Sequence, residues 1–139
     1  MTIIWPLLMQ VLLSLLVWWT VLVSRFREAG RKQIAPQKLS TRQQAQSLLT
    51  DSANPNNNLI NLFELPVLFY VLCLLMIITN TVTTGMVICC WLFVAGRAVH
   101  SVIHMTYNHV MHRFYAYFIS TLSLQVLFGL FVYQLFLQG

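Results

Sequence analysis

Residues 86–104 read MVICCWLFVAGRAVHSVIH. Within this otherwise apolar run Arg97, His100 and His104 recur at i, i+3 and i+7. At ~3.6 residues per turn that spacing puts the three side chains on one face of a helix. A second apolar run holds Glu64, with Asn61 one turn before it. A charge near mid-bilayer costs at least ~2.5–3.5 kcal/mol on insertion scales, so such residues face a partner or a wet cavity. The pattern predicts an all-α membrane bundle with a polar site between its helices.

Composition supports the membrane reading. The chain has 139 residues, 58% of them hydrophobic and 8% charged, with a mean hydropathy of +0.73. Soluble domains carry about 25% charged residues, and a bilayer core takes ~20 apolar residues to cross. Four runs meet that length, at about 2–24, 57–80, 84–108 and 113–137, and one domain over residues 1–139 is expected.

Six of the eight basic residues (Arg25, Arg27, Arg31, Lys32, Lys38 and Arg42) lie in the one long connection, residues 25–56. The net charge of +5 is therefore a positive-inside signature, and no nucleic-acid partner is expected. It places the long loop in the cytoplasm and both termini on the other side, with the turn near residues 108–113 returning to the cytoplasmic side. Met1 to Trp5 carries no basic stretch, and no small-residue cleavage site follows the first run, so that run reads as a retained anchor. The expected setting is a bacterial inner membrane, with the protein as a multi-pass integral component.

Local signals fill in the connections. Trp18 and Trp19 suit an interfacial belt, and the first span otherwise reads as a lipid-facing anchor, with Gln10 and Ser14 at i, i+4. Ser40 with Gln43 has the form of a capping box ahead of a short surface helix, Thr41 to Leu49. Asn54-Pro55 marks a turn, and Asn56 to Asn58 can cap the second span. Pro66, two residues after Glu64, predicts a kink beside the carboxylate. Gly96, before Arg97, allows close approach of another helix. Arg113, Tyr117, Thr121 and Gln125 follow one another at i+4 along the fourth span. Cys73, Cys89 and Cys90 all fall inside spans without a CxxC and read as small buried hydrophobes.

Antiparallel spans bring Asn61, Glu64, Arg97, His100, His104, Tyr107 and Arg113 to the cytoplasmic half of the bilayer, as one wedge. A Glu64–Arg97 ion pair that only locks packing is the plain reading. Two arginines, two histidines, an asparagine and a tyrosine exceed what one pair needs, which points to a polar or anionic ligand. His100 and His104 also have the i, i+4 spacing of helix metal ligands. Arg97 one turn away opposes a cation there, and no metal is expected.

NLFELPVLF at 61–69, GRAVHSVIH at 96–104 and HRFYAYF at 112–118 resemble the MAPEG proteins, membrane-associated proteins of eicosanoid and glutathione metabolism. The resemblance runs from about Asn57 to Tyr117. It implies a homotrimer of four-helix subunits holding glutathione as co-substrate between neighbours near the cytoplasmic face. It implies glutathione contacts from Asn61, Glu64, Arg97, His100, His104, Tyr107 and Tyr117, with Arg113 steadying the thiolate as the catalytic group. Two positions depart from the family pattern: Asn57 stands where many members have arginine, and His104 where they have tyrosine. The implied activity is a glutathione transferase or peroxidase acting on lipophilic electrophiles from the bilayer. The alternatives are a non-catalytic lipid- or fatty-acid-binding protein of the same fold, or a structural membrane protein.

Overall fold

Four stretches of helix are long and apolar enough to cross a membrane: Ile4–Arg31, Ala53–Ile78, Thr84–Met105 and Val110–Gln138. The computed structural model describes residues 2–138. In chain order they form α1 (Ile4–Arg31), a 3₁₀ turn (Pro36–Leu39), α2 (Arg42–Leu48), α3 (Ala53–Asn61), α4 (Leu65–Ile78), α5 (Thr84–Met105) and α6 (Val110–Gln138). At ~1.5 Å per residue, the 28 residues of α1 extend about 42 Å, past a hydrocarbon core of ~30 Å. It is thus longer than an upright crossing requires, and its last turns carry Arg25, Arg27 and Arg31.

The helices pack by a shared apolar seam. Phe69 and Cys73 of α4, Cys90 and Phe93 of α5, and Leu127 of α6 are all fully buried in one cluster. Phe69 stacks on Phe93 with ring centroids 4.5 Å apart. A smaller cluster of Val17, Val21 and Leu62 joins α1 to the end of α3. Outer faces carry exposed Leu16, Trp19, Leu68, Ile78, Val102, Phe118 and Ile119, the surface a bilayer covers. The three cysteines are buried and free.

Gly96 sets the α5–α6 approach. A Cβ there would lie 3.0 Å from Ser120 Cβ and 3.2 Å from the Ala116 carbonyl oxygen. Only the absence of a side chain lets these two backbones come so close.

The second span is broken where Pro66 predicts. Leu62 caps α3, Glu64 at φ −97° and ψ −100° leaves helical geometry, and Pro66 falls in the first turn of α4. Proline has no N–H to return to Leu62, and the first turn of a new helix is where that lack is tolerated.

Three local expectations are corrected. Asn54-Pro55 is not a turn but the first turn of α3, which starts at Ala53. The cap of α2 is Thr41, whose hydroxyl accepts from Gln44 N at 3.2 Å, one residue later than the Ser40 box. Nor is α1 simply a lipid-facing anchor. Gln10 is fully buried with both amide atoms unpaired, and Ser14 Oγ lies 3.3 Å from Tyr70 Oη on α4.

The long loop is held against the end of α1 by a buried carboxylate. Glu28, buried near the end of α1, accepts from Asp51 N at 2.9 Å and Ser52 N at 2.8 Å, and from Lys32 Nζ. These bonds sit at the start of α3, where backbone N–H groups lack helical acceptors and an anion is favoured. The same carboxylate, by its hydrogen bond, raises the Lys32 ammonium above the usual lysine pKa. Arg31 pairs with Asp51 beside it.

Candidate functional site

The break between α3 and α4 releases the Asn61 carbonyl, and Arg97 takes it. Arg97 Nη2 donates to Asn61 O at 2.7 Å, in place of the backbone N–H that a continuous helix would supply. The Arg97 guanidinium carbon lies 5.4 Å from the centroid of the Tyr117 ring, a cation–π contact from α5 to α6. Arg97 is 0% exposed, and its Nε and Nη1 have no partner.

The anticipated Glu64–Arg97 ion pair is not formed. Among the described residues the ion pairs are Arg31–Asp51, Lys32–Glu28 and Lys32–Asp51. Glu64 stands exposed at the break, and the Arg97 nitrogen it was expected to meet is taken by the Asn61 carbonyl.

A cavity of about 240 Å³ is lined by Asn61, His100, Val110, Arg113, Phe114 and Tyr117; Arg97, bound to the first of these and stacked on the last, and Glu64 are not among its lining residues. Four of the expected site residues thus share one pocket at the α3–α5–α6 junction. His100 Nδ1 lies 3.1 Å from the Arg113 carbonyl oxygen. A carbonyl only accepts, so Nδ1 carries the proton, and in the neutral ring Nε2 is an acceptor. That Nε2 is buried and unpaired. His104, also buried, stacks edge-on to His100 at 5.5 Å and does not line the cavity. Tyr107 stands exposed on the turn after α5, with its hydroxyl 3.1 Å from His112 Nδ1.

Arg113, in the first turn of α6, is half-buried. Its Nη1 donates to Asn108 Oδ1 at 2.8 Å, and Asn108 Nδ2 donates to Asn54 Oδ1 at 3.1 Å. One turn along α3, Asn58 accepts from Ser101 Oγ at 3.3 Å, both residues being fully buried. The sequence pattern assigned Asn56 to Asn58 to capping and Asn54 to a turn, and it gave no role to Ser101 or Asn108. Its available signal was the i, i+4, i+7 spacing of Asn54, Asn58 and Asn61, which puts three amides on one face of α3.

The polar stripe of α6 divides at Tyr117. Arg113 and Tyr117 line the cavity with Asn61 and His100. Thr121 and Gln125 line an apolar groove of about 520 Å³ between α4 and α6, with Leu65, Leu68, Leu72 and Phe128. Among the described residues no three His, Cys, Asp or Glu side chains converge as metal ligands do.

The arrangement suits an anion. Arg113 brings a positive charge to the cavity wall, Arg97 holds a second one behind Asn61 and Tyr117, oriented by the carbonyl end of α3, and Glu64 is exposed at the break. The MAPEG family model matches residues 3–133 of the chain. No curated protein and no solved structure matches it.

Proposed function

The chain belongs to the MAPEG family, and from that premise we propose that it is a glutathione-dependent transferase or peroxidase acting on lipophilic electrophiles. The observation that carries this reading is Arg97, a fully buried guanidinium with two unpaired nitrogens and no carboxylate partner. A buried charge left in that state is costly, and an anionic ligand is the natural complement. Glutathione at neutral pH carries two carboxylates and one ammonium. Arg97, Arg113 and Glu64 present the opposite set of charges.

In this reading Asn61, Glu64, Arg97, His100 and Tyr117 hold the tripeptide, with His104 and Tyr107 at the margins. His100 Nε2 accepts a ligand N–H. Bound glutathione supplies a thiol nucleophile. Arg113, at the lip of the cavity, favours its ionised form, because a guanidinium stabilises an adjacent anion and so lowers the thiol pKa. The groove between α4 and α6 admits the apolar substrate from the bilayer. A homotrimer, with neighbouring copies completing the polar cavity, is part of the proposal. So is an orientation with the basic 25–56 loop in the cytoplasm.

The test is titration calorimetry of glutathione into the purified protein in detergent, together with thiolate absorbance. Binding with a thiolate band supports the transferase. A second reading, a non-catalytic lipid- or fatty-acid-binding protein, draws on the apolar groove. It becomes the better one if fatty acid binds and glutathione does not.

A further inference from the structure

We propose that Asn108 is a positioning residue for the Arg113 guanidinium and that Asn54 holds Asn108 in the orientation that does so. The proposal rests on the thiolate role given to Arg113 above. Arg113 lies in the first turn of α6 and is half-buried, so its long side chain has rotamers that point away from the cavity. A guanidinium that acts on a sulfur must be held near it before the reaction, since preorganisation is what makes such a charge effective.

Asn108 supplies that restraint through both ends of its amide. Oδ1 accepts from Arg113 Nη1 at 2.8 Å, and Nδ2 donates to Asn54 Oδ1 at 3.1 Å. The two bonds fix the amide orientation, because the reversed form would turn an NH₂ group toward a guanidinium. Backbone geometry holds the residue itself. Asn108 has φ 47°, left-handed, and its N–H bonds to the Ile103 carbonyl at 2.8 Å, closing the end of α5. Asparagine is among the few non-glycine residues that accept this conformation.

Asn54 ties the relay to the other side of the cavity. It lies in the first turn of α3, beside the backbone that Glu28 anchors from α1, and α3 also carries Asn61. The residues that face a ligand from α3 and α6 are thereby set to one register. Asn108 touches no ligand in this account and acts through Arg113.

The experiment compares Asn108→Gly, Asn54→Ala and Asn54→Asp with the wild type, using glutathione and a lipophilic electrophile in detergent. Glycine keeps the left-handed backbone and removes both amide bonds. It is expected to lower kcat by about tenfold or more, as misplacement of a catalytic group does. The KM for glutathione should move by less than about threefold, and the thiolate band at pH 7 should weaken. Asn54→Ala should show the same split, and Asn54→Asp, which still accepts from Asn108 Nδ2, should recover most of the loss. Should Asn108→Gly fail to assemble, the two Asn54 variants carry the comparison alone. Wild-type kcat and thiolate band in both Asn108→Gly and Asn54→Ala overturn the proposal while leaving the role of Arg113 intact. Glutathione binding by the wild type without any thiolate band overturns that role, and the positioning claim with it.

Discussion

Replacing Arg97 with leucine separates a ligand-binding charge from a structural one. In the free protein the change removes one charged hydrogen bond to the Asn61 carbonyl, worth ~1.5–3 kcal/mol, and a desolvated cation–π contact with Tyr117, worth ~2 kcal/mol. It also removes a buried ion whose effective desolvation penalty is several kcal/mol. These terms oppose each other and are of similar size, so the melting temperature without ligand should shift by only a few degrees. Ligand-dependent stabilisation behaves differently. At glutathione one hundred times above its Kd, the wild type gains about 2.7 kcal/mol. A hundredfold weaker Kd leaves about 0.4 kcal/mol at the same concentration. Thermal unfolding in detergent, with and without glutathione, reads both quantities on one sample. If Arg97→Leu keeps the full glutathione shift, the anion site lies elsewhere. If the ligand-free variant is destabilised by more than ~4 kcal/mol, Arg97 answers a carboxylate in the assembled protein and its role is structural.

Arg113→Ser should leave glutathione affinity nearly unchanged and lower turnover by ~10²-fold, the cost of removing an electrostatic stabiliser of a reacting anion; steady-state kinetics beside calorimetry show the split. Gly96→Ala should destabilise the bundle by ~1–3 kcal/mol through overpacking against Ser120 and the Ala116 carbonyl, seen as a lower unfolding temperature, whereas the same change at Gly129, which has nothing within 4 Å, should not. Glu28→Ala removes the acceptor for Asp51 N and Ser52 N, and limited proteolysis should then cut the 32–52 connection faster. Reporter fusions should place the 32–52 connection in the cytoplasm and the C-terminal end of α6 outside it; a C-terminal fusion active only in the cytoplasm contradicts that orientation.

Four membrane-length helices, the basic loop and the break at Pro66 follow from the sequence alone. Each is set by local properties: the length of an apolar run, the distribution of lysine and arginine, a missing backbone N–H. Helical period likewise put Arg97, His100 and His104 on one face, and the small residue at Gly96 marked a close crossing. What periodicity leaves open is how one helix is rotated against the next, and there only the tertiary structure decides. Counting residues along the spans puts Arg97 and Glu64 at similar depth, yet Glu64 is exposed at the break between α3 and α4 and Arg97 takes the Asn61 carbonyl instead. Gln10 has the surroundings of a lipid-facing helix in sequence and is buried by the way α1 lies on the bundle. Asn54 and Asn108 are 54 residues apart and meet only because α3 packs beside the α5–α6 turn. The choice of partner by a polar side chain depends on a few ångströms and on the direction of a bond, and those are properties of the packed helices together.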